Sequence, residues 1–497
     1  MSANEKRVLS RRHFLRFATV GAGAAVLAAC QPQIVEVTKI VEKEKIVEKP
    51  VEKVVKETVV VEKEKVVEKT VIVQKEVVKQ VEAQWPTVRW AARPAGEALD
   101  QIRELLDVWQ GENKIRVMYE PIPGGWDEII QKMMAGFAAG DAPEIWRMYG
   151  PYVRKCIDFE IALNLNPFIE KEDFDTKDFV EGQLLASQKD KKQYGVPDYC
   201  GIWGTYYNAD LIEAAGLPLP DKATWDIAKY REYTKKLTKR GKNGLLEQAG
   251  TEMNTSLEFG LSTAIWSWGG EVSDADRIVC KLSEPLAMEA MKVKAAMIWE
   301  DKVTPSPAES SALNLAGGWG IFPSGKSGFR EDGAWFLCNG CGNIPAMKDK
   351  FRYGTLPHWK GPTGKRETFC TTDTWMGSPK SEFPDAVWQF LKMLCGVEMQ
   401  TILAKFAHLQ PARRSVVNLW EAAMKTQAAK FNPKLTELDL SPFVEGYAYA
   451  RPMYWWKCNT AVMEVLKPVL DQIYVTNKGT VDELIPKVCQ EITKVTC

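Results

Sequence analysis

Between Val88 and Trp146 the chain alternates three strand-length apolar runs with two amphipathic helical stripes, and this alternation restricts the fold more than any other feature. Val88-Arg89-Trp90-Ala91 reads as a strand. Glu97 to Gln110 reads as a helix, with an apolar stripe at Leu99, Ile102, Leu105, Leu106 and Trp109. Ile115 to Tyr119 is a second strand, ended by Pro121 and Pro123. Trp126 to Ala139 is a second helix, stopped at Gly140, and Glu144-Ile145-Trp146 starts a third strand. Repeated strand–helix–strand units predict parallel pairing under covering helices, an α/β fold. Helical patterns dominate again from Asp385 onward, as in Ala386, Val387, Phe390, Leu391, Leu394 and in Val462, Val465, Leu466, Val469, Ile473. At 497 residues the chain exceeds one core, so two or three domains are expected.

The N-terminal region reads as an address. Ser10-Arg11-Arg12-His13-Phe14-Leu15-Arg16 precedes a short apolar run, Phe17 to Ala29, too short to span a bilayer in a mature protein. The paired arginines resemble a twin-arginine export signal, with Arg16 in place of its final Lys. Leu27-Ala28-Ala29-Cys30 resembles a bacterial lipobox, with Cys30 as the acylated first residue; residues 1–30 are then the signal. The alternative is an uncleaved anchor helix. Either reading places the bulk of the chain outside the cytoplasmic membrane and attached to its outer face. Residues 31–84 form a low-complexity tether of Val, Ile, Glu and Lys, in which the run Thr38 to Lys49 returns as Thr58 to Lys69. Its apolar pairs fit neither heptad nor strict alternation, so it reads as a solvated spacer with a self-associating stalk as the alternative.

Composition excludes several chemistries. The 65 basic and 65 acidic side chains cancel, so no global field recruits nucleic acid. Three histidines (His13, His358, His408), one of them in the signal, supply neither a histidine metal site nor a Ser-His-Asp triad, and no cofactor or metal is implied. Setting Cys30 aside leaves ten of the 11 cysteines in a compartment that permits disulfides. Cys338-Asn339-Gly340-Cys341 lies among loop residues, as a disulfide or as free thiols, rather than at a thioredoxin-like helix start. Gly320 to Ser327 satisfies the phosphate-loop pattern G-x-x-x-x-G-K-S, but no strand precedes it and Pro323 removes a donor, so it is read as a coincidence.

From residue 86 to 490 the segments follow one family in order and spacing. Ala138-Ala139-Gly140-Asp141-Ala142-Pro143-Glu144-Ile145, Leu163 to Ile169, Tyr194-Gly195-Val196-Pro197 and Tyr206-Tyr207-Asn208-Ala209-Asp210-Leu211 resemble motifs of the family 1 bacterial extracellular solute-binding proteins. So do Thr224-Trp225-Asp226, Gly269-Gly270, Gly325-Lys326 with Gly333-Ala334-Trp335, Tyr353 to Pro357 and Gln410 to Arg414. These are sugar-binding components of ABC importers, similar to maltose-binding protein. Two departures stand out: Ser327-Gly328-Phe329 after Lys326, and Cys370 to Trp375 where members often carry a glycine pair.

The resemblance implies two α/β lobes of the periplasmic-binding-protein type, with ligand held in an interlobe cleft at hinge crossings. Lobe one would be 85–203 plus 328–378, and lobe two 204–327 plus 379–497. The implied partners are a small-molecule solute, a sugar first of all, and the transmembrane permease subunits, with the membrane reached through lipid on Cys30. No catalysis is implied. A glycerol-3-phosphate or polyamine solute is the alternative, and a secreted glycoside-processing enzyme the rival from another class. The 18 tryptophans suit sugar faces, which stack on indole. Trp335 is the first candidate platform. Tyr454, Trp455 and Trp456 follow Pro452 where relatives supply an aromatic wall, and Trp375 follows a presumed crossing. Trp146 and Tyr149 follow a strand end, where ligands of open sheets gather. Arg93 and Asp198 are placed to hydrogen-bond hydroxyls. Trp225, Trp266, Trp299 and Trp388 are expected in the core.

Overall fold

Strand β1 (Thr87–Ala92) alternates between two apolar faces: Val88, Trp90 and Ala92 point one way and Ala91 the other, and all four are buried. A strand buried on both faces needs helices on both sides, and the flanking sequence provides them. The computed structural model describes residues 85–92, 98–122, 126–435, 437–454 and 456–496, within the compact unit Gln80–Cys497. The expected export signal, Cys30 and the tether lie outside the described residues, as do Arg93 and Trp455.

Helix α1 (Leu99–Asn113) buries Ile102 and Leu106 against the Val88–Trp90 face. It ends where Lys114 turns left-handed and its N–H bonds to Gln110 O. β2 (Arg116–Pro121) pairs parallel with β1 over its whole length, and Pro121 is tolerated at its last position. Helix α2 (Trp126–Ala139) covers the opposite face through Ile129, Ile130, Met133 and Phe137, and stops at Gly140, whose φ is +74°. β3 (Ile145–Met148) also pairs parallel with β1, and helix α3 (Pro151–Asp158) follows it. The expected strand–helix–strand order, with parallel pairing, is what the structure shows.

β4 (Val196–Pro197) closes this sheet, after which the chain passes to a second one at β5 (Trp203–Asn208). Helix α4 (Ile227–Leu237) starts at Asp226, whose carboxylate accepts from Lys229 N at 2.8 Å. The strand β6 (Lys239–Arg240) and β7 (Leu246–Glu252) precede helices α5 (Ser262–Trp268) and α6 (Pro285–Trp299). Then come β8 (Ser327–Gly333), β9 (Tyr353–Pro357), β10 (Thr368–Cys370) and β11 (Thr374–Gly377). Helices α7 (Pro384–Leu394) and α8 (Val417–Phe431), strand β12 (Ala450–Pro452), and helices α9 (Asn459–Tyr474) and α10 (Val481–Ile492) complete the trace.

The first sheet has the order β2-β1-β3-β11-β4, with β11 antiparallel to both neighbours; the second has the order β9-β5-β8-β7-β6. One core cluster packs under α1 and α7 and reaches Tyr206 and Tyr353 of the second sheet, another lies under α2, and another fills the far side of the second sheet. Helix α7 packs on β11 in the first of these, through Val387, Trp388 and Leu391, while α4, α5, α6, α9 and α10 fill the last. A disulfide, Cys280–Cys489, ties the loop before α6 to α10.

The partition of the chain differs from the expected one. β8 and β9, expected with the first lobe, hydrogen-bond to β5 in antiparallel register (Glu331 opposite Thr205, Leu356 opposite Thr205) and belong to the second sheet. Helix α7, expected with the second, buries its stripe against the first. The return passage lies at 370–374, between β10 and β11. It runs beside the outward passage at 198–202, with Thr371 N bonded to Gly201 O and Asp198 N to Asp373 O, each at 3.0 Å. A third passage, near β12, pairs parallel with β10.

Candidate ligand-binding cleft

β3 delivers Tyr149 at its end, and Gly150, at φ +51°, turns the chain into α3 through a conformation an L-residue adopts at a cost. The turn is held by Gly150 N–H donating to Thr372 Oγ1 at 2.8 Å, so the return passage fixes the strand end. Tyr149 is partly exposed and forms an aromatic array with Trp126 (centroids 4.7 Å) and Tyr152 (5.8 Å).

Tyr149 and Tyr152 of this array stand on one wall of a cavity of about 1290 Å³. The same wall carries Ile130 and Gln131 of α2 and Arg154 and Lys155 of α3. The opposite wall comes from the core on the far side of the second sheet: Thr255 to Glu258, and the first turns of α9 from Asn459 to Glu464. Leu257 and Glu258 open a π-helical turn, Leu257–Leu261, a geometry that recurs at functional sites. The first wall carries the cations Arg154, Lys155 and Lys189 beside one carboxylate, Asp158. Asp158 pairs with Arg154 at 3.1 Å and with Lys189 at 2.9 Å. A solute would meet aromatic rings, hydroxyls and amides together with charged groups on both sides, Glu258, Lys457 and Glu464 among those opposite.

Near Tyr149, Arg147 of β3 joins the two passages. Its guanidinium pairs with Asp198 at 2.7 Å and Asp373 at 2.9 Å, and lies 5.1 Å over the Tyr199 ring and 5.5 Å over Trp126. Trp375 donates its indole N–H to Asp198 at 2.9 Å. Burial works against the charge on Arg147, but the two carboxylates outweigh it and hold its pKa above the ordinary arginine value. Burial pushes Asp373 up to about 6, against the pull of Arg147 and helped by Asp198; Asp198 is raised by burial as well.

A second aromatic group surrounds Trp335, which follows β8. Trp335 is partly exposed and lies 5.9 Å from Trp203, 6.2 Å from Phe259 and 6.3 Å from Phe369. Phe259 sits on the π-turn whose first residues form the cavity wall. The ring rests on Gly201 and Gly333, where any Cβ would collide with it.

The expected site residues thus separate into groups. Tyr149 lines the cavity, and Trp335 adjoins its second wall through Phe259. Asp198 and Trp375 are brought together, but as buried partners of each other and of Arg147. Trp146 is fully buried, its ring edge-on to Phe137 beneath α2, and offers no ring face to a solute; Trp456, buried and edge-on to Tyr454, is among the residues that line the cavity. Tyr454 is buried between Trp456 and Trp266. Trp225, Trp266 and Trp388 are core, and Trp299 packs on α9 by donating to Ile473 O at 2.6 Å. Arg147, Trp126, Tyr152 and the Thr255–Glu258 wall were not anticipated. Trp126, directly after the Gly124-Gly125 pair, carried the clearest signal in the sequence.

The competing motifs are settled by geometry. Gly320 to Ser327 runs into strand β8 rather than a helix, and Ile321 N and Phe322 N both donate to Glu252 at 2.7 Å, so the donors a phosphate would need are taken. Cys338 and Cys341 are joined as a disulfide in a 3₁₀ turn. Among the described residues no group of three His, Cys, Asp or Glu side chains could hold a metal, and no helix is long and apolar enough to cross a membrane.

Residues 95–401 match the family model of the bacterial extracellular solute-binding proteins. A binding protein of Brucella abortus is 27% identical over 348 residues, 69% of this chain and 80% of that one. The arabinooligosaccharide-binding protein of Bacillus subtilis is 25% identical over 255 residues, 50% of this chain and 54% of that one. In fold, the chain is similar to the ABC substrate-binding protein of Listeria monocytogenes solved with cycloalternan (TM-score 0.67, 20% identity, 82% of this chain and 98% of that one). With the matched stretch covering more than half of its length, the chain belongs to the bacterial extracellular solute-binding proteins.

Proposed function

We propose that the chain is the receptor of an ABC importer for a di- or oligosaccharide, held at the outer face of the membrane by lipid on Cys30. The cavity carries this reading. At about 1290 Å³ it exceeds the usual range for drug-sized ligands, and its walls offer rings, hydroxyls, amides and charged groups from both sides. Sugars bind by stacking their C–H faces on aromatic rings and pairing their hydroxyls with amides and hydroxyls. Tyr149, packed against Trp126, on one wall, and Trp335 beside the other, are the proposed platforms. The arabinooligosaccharide-binding relative and the cycloalternan complex support the same solute class. Tighter affinity of the sugar for a closed arrangement would shift the population towards the form a permease recognises.

A panel of mono- and oligosaccharides, including arabinotriose and maltotriose, titrated into the domain from residue 84 and followed by tryptophan fluorescence and calorimetry, tests this. One sugar class binding saturably, with loss in Trp335→Ala or Tyr149→Ala, supports it. Silence across the panel by a folded domain moves the reading to other solutes, and appearance of cleaved sugar overturns the receptor role.

A further inference from the structure

The turn that follows Trp335 is closed by a disulfide whose size and position separate it from Cys280–Cys489. Cys280–Cys489 joins residues 209 apart between buried side chains. Cys338–Cys341 spans three residues and is partly exposed. So short a loop removes little entropy from the unfolded chain, and the bond contributes correspondingly little to global stability. Its effect is local, and what it borders is Trp335.

Trp335 lies in the one-turn 3₁₀ helix Ala334–Leu337, which ends at Cys338. Cys338 N–H donates to the Trp335 carbonyl at 2.9 Å, Cys341 N–H donates to Cys338 O at 3.1 Å, and Cys341 Sγ lies 3.3 Å from that same Trp335 oxygen. The far side of the turn is moored by Asn339 Nδ2 donating to Phe406 O at 3.0 Å. The indole is therefore gripped from two sides: its ring by Gly201 and Gly333, its backbone by the disulfide-closed turn.

We propose that Cys338–Cys341 is a reducible clasp that sets the Trp335 ring, so that a dithiol reductant on the outer side of the membrane lowers the receptor's affinity for its sugar. Exposed disulfides of this kind are the ones open to exchange, whereas buried ones resist it. One thiolate of the dithiol attacks a sulfur of the pair and forms a mixed disulfide. Its second thiolate displaces the remaining cysteine, leaving two protein thiols and the oxidised dithiol. The effect on affinity rests on the sugar-receptor reading; the effect on the turn does not.

The test uses the mature chain treated with graded dithiothreitol, with alkylation and mass spectrometry to identify a dose that opens Cys338–Cys341 and leaves Cys280–Cys489 and the disulfide of Cys458 closed. Amide exchange of the peptide covering 333–341 is then compared with that of the untreated protein, with no sugar present. Faster exchange confined to that peptide is expected. Maltotriose and arabinotriose titrations of the same samples are expected to show roughly tenfold weaker binding on reduction, as for a displaced aromatic hot spot. The Cys338→Ser/Cys341→Ser variant should reproduce both effects without reductant. Unchanged exchange after confirmed reduction overturns the clasp whether or not either sugar binds. Changed exchange with unchanged affinity for a sugar that does bind overturns its link to the site, while binding of neither sugar counts against the receptor reading alone.

Discussion

Arg147 reaches Asp373 at 2.9 Å across 226 residues of chain, and with its second partner Asp198 it ties together the outward and return passages between the two sheets. A mostly buried guanidinium with two carboxylates is self-consistent only while all three are present. Removal of the cation leaves two buried acids facing each other.

Arg147→Met is therefore expected to destabilise the domain by about 3–5 kcal/mol, the range for breaking a buried ion pair. The triple variant Arg147→Met/Asp198→Asn/Asp373→Asn should recover a good part of this. Urea unfolding of the three proteins checks it, and a triple variant no better than the single would refute the charge argument.

His358 gives stability a pH dependence. It is fully buried, and burial, with Lys294 and Arg366 nearby, holds its pKa well below the ordinary histidine value. The folded state keeps it neutral while the unfolded chain takes up a proton below about pH 6.5, so stability falls as pH drops through that point, by up to about 1.4 kcal/mol per pH unit. Asp373, raised to about 6, acts in the opposite sense, its contribution being lost as pH rises from about 4 towards 6. Comparing wild type with His358→Met over pH 5–7 isolates the histidine. The wild-type midpoint should decline more steeply on acidification, and parallel curves would rule the effect out.

Trp335 owes its position to a glycine on another segment. Gly201→Ala places a methyl group against the indole, so its ring must move. Sugar affinity should fall roughly tenfold or more, as expected for loss of an aromatic anchor, while Tyr149→Ala should weaken binding independently from the other wall. Calorimetry on the two single variants and the double tests both; equal affinities for wild type and Gly201→Ala would remove Trp335 from the site.

Cys280–Cys489 should matter to folding where Cys338–Cys341 does not. Closing 209 residues, its replacement by Ala pairs is expected to cost about 2–5 kcal/mol, whereas Cys338→Ser/Cys341→Ser should change the thermal midpoint little. Calorimetric scans of the two variants settle the contrast.

The local parts of this fold were legible because their signals are local. Trp126 to Ala139 is bounded by glycines on both sides, and Val88 to Ala91 has a strand's composition. Partition between the sheets was not, since β8 and β9 are assigned by antiparallel pairing to β5, more than a hundred residues earlier for each. The site divides in the same way. Tyr149 could be picked out because it follows a strand end. Arg147 could not, because a lone arginine on a strand reads as solvated until Asp198 and Asp373 are known to converge on it. Trp146 and Tyr149 are both aromatic and three residues apart, and only the covering helix decides that the first is core and the second is wall.

Glu252 has a wider consequence. Its carboxylate accepts from Ile321 and Phe322 at the very turn whose spacing imitates a nucleotide-binding loop, and Arg330 pairs with it at 3.2 Å. The turn thus carries its own resident anion, covalently part of the chain and never at low concentration. A diffusing phosphate competes for these amides against a ligand that cannot leave.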